Sequence, residues 1–448
     1  MARSIITVTM WMLPALPTMS WFAVHGYYRV TRGGAVPPAS GPELIVANHT
    51  NSLLDVAFVV VASRRRVRFM AKAPLFTYPG LGWLVKAVGS VPVYRRQDDP
   101  KLVAQNLDVF RDVYHAVARG DAVGIFPEGI AHSASGLQPL KTGAARIALG
   151  AAAELGGRAF PIVPIGMVFR DRRAFRSSAR VVVGEACAWD DLASRGASDR
   201  EAVRELTRRI AASMRAVTLN LHAWQDEQLV RMAELVWRAE RGGEPGAEAE
   251  LSRLAATTDA LARLRLGDDG SWRQVARQVR AHERILGRLG LTPAALRARM
   301  DAGSAAAWLA RRLPMILMTP IAALGLVLFW IPRALADVIG TRASVKEGED
   351  SVPTFRVMYG GVIFLVWFLL LAAAAGALWG ALAAVVTFVA LPLLGLGALA
   401  IGDSRRFVWQ SVRQYFALRR HPERVEALRR RQGEIARHLD ELLSEAGS

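Results

Sequence analysis

Between residues 40 and 190, short apolar runs alternate with longer segments whose apolar residues recur at helical spacing. The runs LIVAN from Leu44, VRFMAKA from Val67, SVPVYR from Ser90, AVGIFP from Ala122, AFPIVPIGMVF from Ala159 and ARVVVGEA from Ala179 have the length and β-branched content of strands. Residues 53–62, 101–118 and 143–155 between them carry helical spacing. Strand and helix in alternation predict an α/β domain over 29–198, a mixed, partly parallel sheet flanked by helices.

The pattern changes beyond this domain. Residues 199–303 are rich in Arg, Ala, Glu and Leu, with Leu229, Met232, Ala233 and Val236 on one helical face, and predict a helical domain with turns at 242–246 and 267–270. Three uncharged stretches are membrane candidates. Residues 5–25 hold Pro14 and Pro17, which would break a regular span, so 1–28 is read as an interfacial anchor. Residues 357–402 are long enough for two spans, and a turn near Trp379 and Gly380 would make them a transmembrane hairpin. Residues 403–448 form a basic tail whose arginines place it on the cytoplasmic side. With the α/β domain also cytoplasmic, the number of crossings between them is even, so 304–333, interrupted by Pro314 and Pro320, is expected to be re-entrant or interfacial, followed by a loop over 334–356.

Composition sharpens this picture. The chain has 448 residues, 52% of them apolar, and a formal charge of +18 from 57 Lys and Arg against 39 Asp and Glu. Such a balance favours an anionic partner, and the apolar stretches make acidic membrane lipid the expected one. The basic residues show no interleaving with aromatics, which argues against nucleic acid. The lone Cys187 excludes an intramolecular disulfide and a cysteine-based metal cluster.

The chemistry-bearing residues stand at strand ends. Asn48 and His49 close the first run, and Asp55 follows in the next helix. A histidine with a carboxylate at short range is the minimum equipment for general base catalysis: the imidazole takes a proton while the carboxylate fixes its tautomer. Phe126, Pro127, Glu128 and Gly129 close a later run, and Gly89 to Arg96 place Arg95 after an apolar stretch, where guanidinium suits phosphate. Taken singly, the His and Asp pair is far more often structural or surface, the glutamate loop is explained as a strand-terminating turn, and the arginines are more often surface charge.

In this order the blocks resemble the glycerophospholipid acyltransferase family. The resemblance covers roughly residues 40–190 and rests on Asn48, His49 and Asp55; Gly89 and Arg95; Phe126, Pro127, Glu128 and Gly129; Val163 and Pro164; and LKTGAARIAL, from Leu140, with Lys141. It implies transfer of an acyl chain from acyl-CoA or acyl carrier protein to a glycerol-phosphate hydroxyl, with no metal or cofactor. His49 and Asp55 would be catalytic, and Asn48, Gly89, Arg95, Phe126, Pro127, Glu128, Gly129 and Lys141 would bind substrate. Two departures stand out: five residues separate His49 from Asp55 where the commonest pattern has four, and FPEGIAHS replaces FPEGTRS. Both look like the fungal glycerol-3-phosphate and dihydroxyacetone-phosphate acyltransferases. The resemblance leaves open whether His132, Lys141 or Arg146 takes over from the missing arginine, and whether glycerol-3-phosphate or lysophosphatidate is the acceptor. A non-catalytic, lipid-binding membrane scaffold is the alternative from another class.

Overall fold

The computed structural model describes residues 16–77, 82–87, 89–94, 106–221, 224–244, 246–266, 271–297, 310, 313, 317–345, 347–420 and 422–445. The chain divides into two compact units: Met1–Asn220 with Gly246–Leu251 and Glu347–Thr354, and the remainder.

The first unit is built on a seven-stranded sheet. Its strands are β1 (Arg29–Gly34), β2 (Glu43–Ala47), β3 (Val67–Lys72), β4 (Val91–Val93), β5 (Ala122–Ile125), β6 (Ile162–Phe169) and β7 (Ser178–Val183), in the order β1-β7-β6-β2-β5-β3-β4. All pairings are parallel except β6 with β7. Central β2 and β6 are buried along their whole length, as parallel strands covered on both faces must be, which explains their continuous apolar runs. The short α3 (Gly82–Ala87) precedes β4, and one face of the sheet carries α4 (Asn106–Ala118), α5 (Gly143–Glu154) and α6 (Arg200–Val217), packed through Leu44, Val123, Ile147, Ile162, Leu206 and Ile210. On the other, α1 (Leu16–Tyr27) packs against α2 (Leu53–Ser63), beside an aromatic cluster of Tyr28, Phe58 and Phe169.

The six expected runs all contain strands, and β1, in the polar stretch RVTRGG, is an addition. The anchor segment is helical over Leu16–Tyr27, a stretch that includes Pro17; residues 1–15 lie outside the described ones. Helix α6, expected to open the helical domain, instead lies on the sheet. Its Val203, Leu206, Ile210 and Met214 are buried, and Asp199 caps it by accepting from the amides of Glu201 and Ala202. The sheet unit therefore extends to Asn220.

In the second unit, α7 (Trp224–Arg241), α9 (Ser271–Leu289) and α15 (Pro422–Glu445) pack through Leu229, Val236, Val275, Val279, Ile435 and Leu439. Helix α8 (Ala247–Leu266) follows the glycine turn after α7, and α10 (Pro293–Arg297) joins a second cluster with Leu286, Leu296 and Leu428. Residues 267–270 lie outside the described ones. Part of 304–333 is helical as α11 (Thr319–Leu328), whose Gly325 meets Ala398 closely. At about 1.5 Å per residue its ten residues fall well short of the roughly 30 Å hydrocarbon core. The expected loop at 334–356 is corrected to helix over much of its length: α12 (Trp330–Ser344) fills its first half, because an uninterrupted pattern after Pro332 sustains it. Among the described residues, two helices are long and apolar enough to cross a membrane: α13 (Val352–Trp379) and α14 (Ala381–Arg420). They are joined at Gly380, whose φ of +88° is a left-handed conformation that favours glycine, so the turn falls where it was expected. The basic residues Arg413, Arg419 and Arg420 continue α14 without a break at 403.

At the amino-terminal end of β2, Glu43 is fully buried and pairs with Arg65 at 3.3 Å, while its Oε1 has no partner. Burial pushes this carboxyl up to about 7 from its ordinary 4.5, with Arg65 opposing the shift. The folded state therefore favours the protonated acid, an advantage present below about 4.5 and lost as the pH rises through about 7. Glu43→Gln should flatten this dependence, and relative to wild type it should be on the order of 3 kcal/mol better off above pH 7 than below 4.5. Denaturant unfolding at a series of pH values checks this.

Candidate active site

The site forms where β2, β5 and β6 end, at the carboxyl edge of the parallel part of the sheet. Open α/β sheets present loops there that carry functional groups. Asn48, the first residue past β2, does not face outward. Its amide donates to the Met167 carbonyl at 2.9 Å and accepts from the Met167 amide at 2.8 Å, fastening the end of β2 to β6. The chain then turns through His49 to Ser52 and enters α2.

Asp55 lies in the first turn of α2 and is wholly buried. Its Oδ2 accepts from the backbone amides of Thr50 at 2.8 Å and Asn51 at 2.7 Å and lies 3.0 Å from His49 Nδ1. Burial raises the Asp55 carboxyl above its usual range, and the His49 contact and the two amides oppose that rise. With the carboxylate as acceptor, Nδ1 of His49 carries the proton and Nε2 keeps its lone pair, which is the tautomer a general base requires. The imidazole stacks on Phe126, ring centroids 4.1 Å apart and planes 11° from parallel, so rotation about its side chain is restricted. No side chain of the 50–52 segment caps α2. The hydroxyl of Thr354 accepts from the Leu54 amide at 3.3 Å and donates to the Asn51 carbonyl at 3.2 Å.

The second loop, Phe126 to Gly129, is a turn closed by the Gly129 amide on the Phe126 carbonyl at 2.9 Å. Glu128 comes to the site but is turned inward. Its Oε1 accepts from the His49 amide at 2.8 Å, and its Oε2 accepts from the Gln138 amide at 2.8 Å and contacts His132 Nε2. His132 Nδ1 accepts from the Ala134 amide at 3.1 Å, so Nε2 holds the proton and donates to Glu128. The buried Glu128 carboxylate therefore joins the two loops and does not line an open cleft, as a substrate contact would. Pro127 is buried, with its carbonyl accepting from the Lys141 amide at 2.8 Å. Gly129 has φ +75°, and a Cβ there would strike the Lys141 side chain, so only glycine allows the lysine to lie across the turn. Lys141 is exposed and makes no ion pair among the described residues.

The remaining expectations separate. Gly89 precedes β4 and sits beside Arg68, which pairs with Asp121 ahead of β5. All three lie at the amino-terminal edge of the parallel strands, so Gly89 is not brought to His49, and its expected substrate contact is corrected. Arg95 lies outside the described residues. Arg146 bonds the Ala197 carbonyl at 3.2 Å, and His132 is committed to Glu128, which leaves Lys141 as the cation beside the turn. Among the described residues no group of His, Cys, Asp and Glu has metal-ligand proximity.

Residues 22–168 match the family model described as Acyltransferase. This part of the chain is similar to acyltransferase domains. Among the relatives is glycerol-3-phosphate O-acyltransferase 2 of Saccharomyces cerevisiae, 32% identical over 135 residues, 30% of this chain and 18% of that protein. A second is 1-acyl-sn-glycerol-3-phosphate acyltransferase BAT2, chloroplastic, of Brassica napus, 29% identical over 148 residues, 33% of this chain and 39% of that protein. The matches thus span about a fifth to two fifths of the relatives' own lengths. Among solved structures, the 1-acyl-sn-glycerophosphate acyltransferase PlsC from Thermotoga maritima is similar at 17% identity and a TM-score of 0.35, covering 47% of this chain and 80% of that one.

The inward carboxylate makes a prediction that a substrate-binding role would not. In Glu128→Gln one amide group must face the donors of His132 and Gln138 or that of His49, so a buried donor loses its acceptor. Such a loss costs about 1–3 kcal/mol. Thermal unfolding should therefore shift downward, where a residue serving only the substrate would leave it unchanged.

Proposed function

We propose that this protein is a membrane-bound O-acyltransferase that moves a fatty acyl chain from an acyl thioester to the hydroxyl of glycerol-3-phosphate or dihydroxyacetone phosphate in phospholipid synthesis. One observation carries the reading: His49 Nδ1 is fixed on a buried carboxylate, so that Nε2 is left as a base. Nε2 takes the proton of the acceptor hydroxyl as its oxygen attacks the thioester carbonyl carbon. The tetrahedral intermediate collapses, the carbon–sulfur bond breaks, and the thiolate recovers the proton from the imidazolium. No covalent acyl-enzyme, metal or cofactor is needed. Acyl-CoA and acyl carrier protein are the two donor classes, and Lys141 supplies a cation for the acceptor's phosphate.

The acceptor assignment is supported by the yeast relatives, whose names specify glycerol-3-phosphate. The plant relatives, named for 1-acyl-sn-glycerol-3-phosphate, support that acceptor as the alternative. The apolar helices α13 and α14 support integration in a membrane, and the arginines that follow support a cytoplasmic face for the tail.

His49→Ala should lower kcat by about 10² to 10⁴ with the fold retained. Labelled acyl-CoA with each acceptor in turn, beside circular dichroism, measures this; wild-type turnover in the variant would overturn the proposal. Lys141→Ala should raise the KM for a phosphorylated acceptor about tenfold and leave that of the thioester unchanged.

A further inference from the structure

Arg172 follows β6 in a run that also holds Arg170, Arg173 and Arg176. Its Nη1 donates to the Thr50 carbonyl at 2.8 Å and to the His132 carbonyl at 3.0 Å. These carbonyls belong to the two loops of the site, so one nitrogen bridges them. The loops are also joined by the His49 amide on Glu128 and by the His132 amide on the His49 carbonyl at 3.1 Å. Arg172 is itself held. Its carbonyl accepts from the Tyr28 hydroxyl, and that hydroxyl accepts from Asn51 Nδ2 at 2.7 Å. Tyr28 is fully buried against Phe58 and Phe169, and burial pushes its phenol up, so the group remains a neutral hydroxyl able to donate once and accept once.

We propose that Arg172, anchored by Tyr28, is a positioning residue for acyl transfer: it fixes the backbone of Thr50 and Asn51, whose amides hold Asp55 under His49. This rests on the acyl-transfer reading above. Arg172 reaches the chemistry through the Thr50 carbonyl, and the same peptide segment supplies two of the three donors on Asp55 Oδ2. A guanidinium suits the task because its NH2 protons diverge in a fixed plane toward two acceptors. Slack in this segment tilts the imidazole relative to the acceptor hydroxyl, and misplacement on the order of 1 Å costs about 10²-fold in rate. The expected loss therefore falls on kcat.

The test uses the full chain with Arg172→Met, Arg172→Lys and Tyr28→Phe. In Arg172→Met, kcat should drop about 10- to 100-fold with acceptor and donor KM within about threefold. Arg172→Lys, which keeps the donors, should recover part of the loss. Tyr28→Phe, which keeps the packed ring, should show a smaller drop of the same kind. Hydrogen exchange gives a readout independent of activity: amides of Thr50, Asn51 and His132 should exchange faster in Arg172→Met, while those of β1 and β7 stay as in wild type. Unchanged kcat with unchanged exchange overturns the inference, as does faster exchange across the whole sheet or a loss confined to acceptor KM. A wild-type chain that transfers no acyl group to any acceptor overturns the proposed function, and the local exchange result still decides whether Arg172 holds the segment.

Discussion

The geometry of the site depends on a carboxylate that has no contact with water. Asp55 is wholly buried, and an isolated carboxylate in that position would take up a proton. Three donors converge on one of its oxygens, and two of them are backbone amides of the segment that also carries His49. The requirement runs both ways. The loop must curl over the first turn of α2 to satisfy the acid, and the acid holds the loop there, with the helix amino terminus adding its favourable field. His49 is oriented as part of that arrangement. Its Nδ1 is the third donor, and its other nitrogen keeps its lone pair.

Two carboxylates meet at this edge of the sheet, and they divide the work by atom. Asp55 sets the imidazole, whereas Glu128 sets the main chain that bears it through the His49 amide. Both acids are spent on internal donors. Among the described residues, the partly exposed His49 ring and the exposed Lys141 across the Gly129 turn are left to meet a substrate.

How much of this the sequence revealed follows from which signals have a period. Buried β2 and β6 are continuous apolar runs, and α2 and α5 keep helical spacing, so their existence was legible. Edge strand β1, reading RVTRGG, has neither signal, because it pairs only with β7 and buries little. Helix α6 carries the same Arg-rich amphipathic pattern as the helices of the second unit. Nothing in that pattern says which surface its apolar face will meet. The His49 and Asp55 partnership was legible because a strand end and the first helical turn are close by construction. Whether Glu128 faces in or out was not, since a polar residue after a strand reads the same either way. Gly89 was misplaced although a usable signal existed: a glycine before a parallel strand lies at the edge opposite the reactive one. Arg172 and Thr354 gave no signal. One is an arginine among several, and the other lies far along the chain from the helix it caps.

The second unit poses a different physical problem. Helix α9 has a polar face and an apolar face, which a helical cluster in water requires. Helices α13 and α14 do not: Leu365, Leu369, Leu370, Val385, Val386 and Leu393 are each about half exposed or more. A patch of that extent would drive association in water, since exposed apolar surface of more than a few hundred Å² is uncommon on soluble monomers. Small residues let part of the bundle close on itself, with Gly325 against Ala398 and Gly376 against Ala384, and Trp367 satisfies its indole on the Leu328 carbonyl. The Trp367 indole is thus internally paired while many outer side chains of α13 and α14 are apolar, the combination that a hydrocarbon surrounding would require.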